Sequence, residues 1–225
     1  MRSVLCLLLA APLACFGQAG APEPEFNLVS LSAQAEREVP NDLLTATLAA
    51  ESDGADPAQL ADATNRKMQA ALAAARAYPS VKVRSGNYQT FPRYENQKVA
   101  GWKVRQELRV ESKDLAAATE LIGKLQSSLL VAGMALSVSP EARRKVENDL
   151  IAEAIGAFDE RARIVREATK SKGYRLRDLQ ISGGGFPSPQ PFFAAAARAA
   201  PVAAPAFEAG SSRILITASG TIQLH

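Results

Sequence analysis

The chain has 225 residues, 47% of them hydrophobic and 22% charged, the profile of a globular protein that forms one domain of fair size or two small ones. Its formal net charge of +3 is too small for phosphate binding to be inferred from charge alone. The locally basic runs, Arg143 to Lys145 and Arg161 to Arg166, are interleaved with Glu141, Glu147, Asp159, Glu160 and Glu167, which reads as a solvated helix face and gives no reason to expect nucleic acid as a partner.

Residues 1–19 differ from the rest. Arg2 gives a positive start, Val4 to Leu13 is a short apolar run, and Gly17, Gln18 and Ala19 supply small residues where a signal peptidase cuts. This predicts a cleaved secretory signal and a periplasmic destination. The run is about half of the roughly 20 residues that a spanning helix needs, so no transmembrane span is expected. Both cysteines, Cys6 and Cys15, fall in this stretch, and cleavage after Ala19 would remove every thiol. A rival reading takes Leu13, Ala14 and Cys15 as a lipoprotein box, although Pro12 and Leu13 sit poorly against that pattern.

Residues 20–27 read as a flexible, proline-rich lead into a domain over 28–225. Val29 to Glu36 alternates apolar and polar, Val39 to Asp42 carries turn residues, and Leu44 to Ala50 resumes the alternation, which predicts a β-hairpin. Asp56, Pro57 and Gln59 then start a helix resembling a capping-box start, with Leu60, Thr64, Met68, Leu72 and Ala75 on its apolar stripe. A strand opens at Val81 and is expected to end at Pro92, before a polar tip over 93–98. Trp102 to Val110 alternates against Lys103, Arg105, Glu107, Arg109 and Glu111; a fully charged face favours an antiparallel sheet covered on one side only.

A second helix follows Asp114, with Leu115, Ala118, Ile122 and Leu125 on its apolar face, and a short strand spans Met134 to Val138. The longest element starts at Ser139 and Pro140 and is expected to run to Gly173. Val146, Leu150, Ala154, Phe158, Ala162 and Val165 line one face, while Glu141 with Lys145 and Asp159 with Arg163 are spaced for helical ion pairs. Strands near Leu176 to Ile181 and Ile214 to Leu224 complete an α+β fold, with antiparallel sheets, helices packed on one face, and two degenerate helix-and-hairpin halves. Between those last strands, 183–210 is a Pro/Ala-rich loop bearing Phe186, Phe192 and Phe193. It reads either as a flexible excursion or as an arm that docks on a neighbouring subunit.

In this order the motifs resemble those of bacterial SIMPL-domain proteins, the family of the YggE-type oxidative-stress-defence proteins and the periplasmic immunogenic outer-membrane proteins. The resemblance rests on Val39 and Pro40 after the first strand, Tyr94 ahead of Gly101 and Trp102, the charged strand leading to Asp114 and Leu115, and the long helix closing near Gly173 and Tyr174. Asn41 stands where the family usually has an aspartate, and Trp102 where it usually has a tyrosine. The resemblance implies a secreted cell-envelope domain, sometimes assembled into large ring-like or channel-like oligomers, and it brings no catalytic residues to transfer.

Side chains that could carry chemistry are correspondingly few. His225, the one histidine, is the last residue, where a frayed end is the simpler expectation. Without a mature cysteine or a positioned histidine, no enzyme, cofactor or metal site is predicted. Asp42, Glu51, Asp53, Glu107 and Glu111 read as solvent-facing acids, and Gly183 to Gly185 lacks the residues of a phosphate loop. The candidate ligand or assembly contacts are Trp102, Tyr94, Phe186, Phe192 and Phe193. The favoured reading is a non-enzymatic, self-assembling envelope protein supporting envelope integrity or stress resistance, in contact with itself or another envelope protein. The alternatives are a periplasmic module for a peptide or small apolar ligand, using a groove near Trp102, and a carboxylate-dependent hydrolase.

Overall fold

A computed structural model of the chain describes residues 26–183 and 210–225. The order is β1 (Leu28–Pro40), β2 (Leu43–Gly54), α1 (Pro57–Ala75), β3 (Lys82–Glu95), β4 (Lys98–Ser112), α2 (Leu115–Leu125), β5 (Leu130–Ser137), α3 (Pro140–Ala168), β6 (Tyr174–Gly183) and β7 (Ser211–Leu224). The strands form two antiparallel sheets, ordered β1-β7-β6 and β3-β4-β2-β5. The α+β expectation therefore holds.

Each sheet has its own core. Leu44, Leu48, Leu108 and Val110 on the larger sheet pack with Met68 of α1 and with Leu121 and Ile122 of α2. On the smaller sheet, Ala33, Ile214, Ile216 and Ile222 pack with Leu150, Ala154, Phe158 and Ala162 of α3. Those four helical residues recur every fourth position, so one stripe of α3 is buried along most of its length, as the periodicity predicts. The halves share a plan. In each, a helix precedes a consecutive antiparallel pair (β3-β4 or β6-β7), and an earlier strand (β2 or β1) joins the second member of that pair under the same helix. The larger sheet adds β5 and α2.

The predicted hairpin between β1 and β2 does not form. β1 pairs with β7, while β2 pairs with β4 and β5. The two-residue link explains why: the Asn41 N–H donates to the Gly210 carbonyl at 3.1 Å, beside the small sheet, and the Asp42 N–H donates to the Ser137 carbonyl at 3.1 Å, beside the large one. Successive amides are satisfied by different sheets, so the chain passes between them instead of folding back.

Two further boundaries move. Pro92 does not end β3, which continues to Glu95; β3 is an edge strand, where a missing N–H breaks no ladder bond on the outer side. Asn96 and Gln97, with φ of 50° and 64°, then turn the hairpin into β4. Helix α3 stops at Ala168, short of Gly173, because Lys170 takes the left-handed conformation with φ 55°. Gly173 has another task. It exchanges both backbone hydrogen bonds with His225, each 3.0 Å, so the backbone of His225 is paired and not frayed.

Candidate functional site

Helix α3 is attached to the larger sheet through the residue that caps it, Ser139. The Asp42 carboxylate accepts the Ser139 N–H at 2.6 Å with one oxygen and the Ser139 hydroxyl at 2.7 Å with the other. Ser139, fully buried, in turn accepts the Ala142 N–H and caps α3. Lys113 bridges Glu141 at 3.0 Å and Asp42 at 3.8 Å, so Glu141 turns to Lys113, leaving its predicted helical neighbour Lys145. Burial works to raise the Asp42 carboxyl, but the two Ser139 hydrogen bonds and the Lys113 charge outweigh it and hold its pKa below the ordinary 3.8. Asn41 completes the joint by accepting the Ser212 hydroxyl at 2.6 Å. Asp42 is thus a structural carboxylate, where its sequence context reads as a solvent-facing acid. The signal available in the sequence was the lone acid beside a turn; its partner lies 97 residues away.

The outer face of β4 is charged, as predicted, and partly self-compensating. Glu51 of β2 pairs with Lys103 at 3.1 Å and Arg105 at 2.8 Å, and the Lys103 hydrogen bond leads the causes that lower the Glu51 pKa. Lys67 of α1 donates to the Glu51 carbonyl. Asp159 and Arg163 form the predicted ion pair at 3.4 Å. Among the described residues, no group of three or more His, Cys, Asp or Glu is placed to hold a metal ion.

The predicted contact residues that can be placed lie on the β3-β4 hairpin. Tyr88, Pro92 and Tyr94 alternate on one face of β3, and the register sets Trp102 against Pro92 and Val99 against Tyr94. Tyr94 and Trp102 therefore share a face. Trp102 is half-buried, but Tyr94 is 62% exposed, Val99 51% and Tyr88 45%, and Phe91 on the opposite face is 43% exposed. The reason is geometric: α1 packs chiefly on β2 and β4 and touches β3 only marginally, so the outer hairpin extends past its helical cover. Phe186, Phe192, Phe193 and the loop bearing them lie outside the described residues. Tyr88, Phe91 and Val99 are not among the contacts that the sequence predicts. Each sits in an ordinary strand pattern, and nothing local marks where the covering helix ends.

This arrangement of two helix-backed antiparallel sheets coincides with a family match. The chain matches the family model SIMPL, described as a protein of unknown function (DUF541), over residues 29–222. The chain belongs to the SIMPL family. A search of curated proteins found no match.

Proposed function

We propose that this SIMPL-domain chain is a non-enzymatic protein of the cell envelope that assembles with copies of itself and supports envelope integrity or stress resistance. The observation that carries the reading is the uncovered strip formed by Tyr88 and Tyr94 on the edge strand β3 and by Val99, opposite Tyr94, on β4. Exposed aromatics grouped on one protruding element favour a protein contact over isolated surface residues. The occupant is a second copy. The strip is apolar and hence self-complementary under a two-fold axis, and β3 is the outermost strand, so one hairpin can approach another without displacing an element of its own sheet. The Gly86–Asn87 irregularity and Pro92 interrupt the β3 edge, which favours side-chain packing across the strip over continuous strand addition. The secretory signal predicted from the sequence of residues 1–19 favours a periplasmic setting.

The test is solution mass by light scattering after size exclusion, for the protein and for Tyr94→Ser with Val99→Ser. A defined oligomer that dissociates in the double variant supports self-assembly through the hairpin. A monomer in both, with Trp102 fluorescence quenched by an apolar peptide, would instead make the same strip a ligand groove.

A further inference from the structure

On the face of β3 and β4 that points away from the core, the side chains carry an arrangement that the overall charge conceals. Arg84 on β3 lies directly opposite Arg109 on β4 in the register. Both side chains are exposed, and among the described residues neither has a hydrogen-bond or ion-pair partner. Like charges directly opposite on an antiparallel pair repel, since their Cβ atoms sit about 5 Å apart. Neighbouring charges offer little relief. Glu107 faces Arg105 at 3.8 Å, Arg105 is engaged by Glu51, and Glu111 is shared with Lys82 at 3.9 Å.

The same residues line a shallow concavity of about 480 Å³ together with Gly86 and Asn87. Its wall holds the three cations Lys82, Arg84 and Arg109 against the single carboxylate of Glu111. A register shift between Ser85 and Tyr88 leaves Gly86 and Asn87, which also line the concavity, without register partners on β4. A side chain at Gly86 would be crowded: its Cβ would stand 3.0 Å from the Glu107 Cβ and 3.5 Å from a Glu107 carboxylate oxygen. The irregularity thus brings backbone and an amide side chain beside two unpaired guanidinium forks.

We propose that this concavity binds a phosphate-class dianion, held between the Arg84 and Arg109 guanidinium groups with Lys82 at its rim. Planar guanidinium forks match phosphate oxygens in bidentate fashion, and two of them facing each other across one strand pair neutralise a dianion while losing their mutual repulsion. The ligand chemistry is a phosphate monoester or inorganic phosphate; a free metabolite and a monoester lipid headgroup present the same group.

The experiment measures phosphate affinity at low ionic strength by calorimetric titration, and thermal midpoint with phosphate or with chloride at matched ionic strength. The proteins are wild type, Arg84→Gln with Arg109→Gln, Arg109→Lys, and Arg213→Gln on the other sheet. The proposal expects the wild-type midpoint to rise with phosphate. It expects at least a tenfold loss of affinity in the double Gln variant, an intermediate loss in Arg109→Lys, and wild-type affinity in Arg213→Gln. In chloride the double variant should melt no lower than wild type, since a repulsion has been removed. Glycerol phosphate and phosphatidylcholine vesicles with or without phosphatidic acid separate the sources. Tighter binding to phosphatidic acid vesicles than to glycerol phosphate identifies a headgroup, and equal binding identifies a soluble phosphate. Phosphate and phosphatidic acid binding equal in wild type and the double Gln variant, or absent from wild type, would overturn the proposal.

Discussion

Asp42 and Ser139 are 97 residues apart, yet the carboxylate of one accepts both the backbone N–H and the hydroxyl of the other, at 2.6 and 2.7 Å. Among the described residues, no element of the small-sheet half packs broadly against an element of the large-sheet half, so the contact sits at the joint between them. It fixes where α3 begins with respect to β2, because Asp42 precedes β2 and Ser139 precedes α3. Replacing Asp42 by Ala strands a buried N–H and a buried hydroxyl. Hydrogen bonds to a charged group are worth about 1.5–3 kcal/mol, and that loss is expected in urea unfolding of Asp42→Ala. Asp42→Asn, which keeps one acceptor, should lose less. A change below about 0.5 kcal/mol for Asp42→Ala, the range of ordinary surface substitutions, would show that the contact does not hold the joint.

The same carboxylate sets a pH dependence. Asp42 and Glu51 both have pKa values lowered from their ordinary 3.8 and 4.5. A group whose pKa is depressed on folding contributes stability that is complete above its unfolded value and is lost as pH falls through the folded value. Stability from these two acids should therefore be constant from neutral pH down to about 5 and decline below about 4. The decline should be shallower in Asp42→Asn with Glu51→Gln, measured by urea unfolding across pH 2–7. Equal slopes in the variant and the parent would remove these two groups from the acid response.

Two glycines should respond oppositely to alanine. At Gly220 of β7 a Cβ would stand 2.2 Å from the Asp178 carbonyl oxygen, where the β6-β7 register shifts, so backbone must move and Gly220→Ala should break that part of the ladder. Gly156 is in the middle of α3 with nothing within 4 Å of a Cβ. There Gly156→Ala is expected to stabilise the protein by about 0.5–1 kcal/mol through helix propensity. Thermal unfolding of the two variants checks both signs.

Phe158 is 4% exposed and lies in the small-sheet core. Phe158→Ala should cost about 3–5 kcal/mol. Because the halves meet chiefly at the Asp42 joint, hydrogen exchange should accelerate most in β1, β6 and β7, with β2 and β4 nearest their original rates. Uniform acceleration across both sheets would show that the halves unfold as one unit.

Much of this fold is legible in the sequence because burial imposes a period. The stripe Leu150, Ala154, Phe158 and Ala162, the caps Asp56, Asp114 and Ser139, and the alternation of β4 and β7 each follow from local rules and each reappears in the structure. What the period does not carry is partnership. Alternation in β1 and β2 says which residues face a core, and it says nothing of which core, so two strands separated by Asn41 and Asp42 look like a hairpin when they belong to different sheets. Pro92 reads as a strand end until β3 is known to be an edge, and Gly173 reads as a helix stop until Lys170 is seen to turn first. The site suffers from the same limit. Tyr94 and Trp102 stand out by type, but Arg84 and Arg109 become a pair only through the β3-β4 register.

Residue-level footprinting with hydroxyl radicals, at dilute and at high protein concentration, addresses assembly through the hairpin most directly. The account predicts that oxidation of Tyr88, Tyr94 and Val99 falls as concentration rises, that exposed Ile164 on α3 keeps a constant rate, and that Tyr94→Ser with Val99→Ser abolishes the protection of Tyr88. Hairpin rates independent of concentration, in a sample that light scattering shows to be oligomeric, would contradict it by placing the contact elsewhere on the molecule.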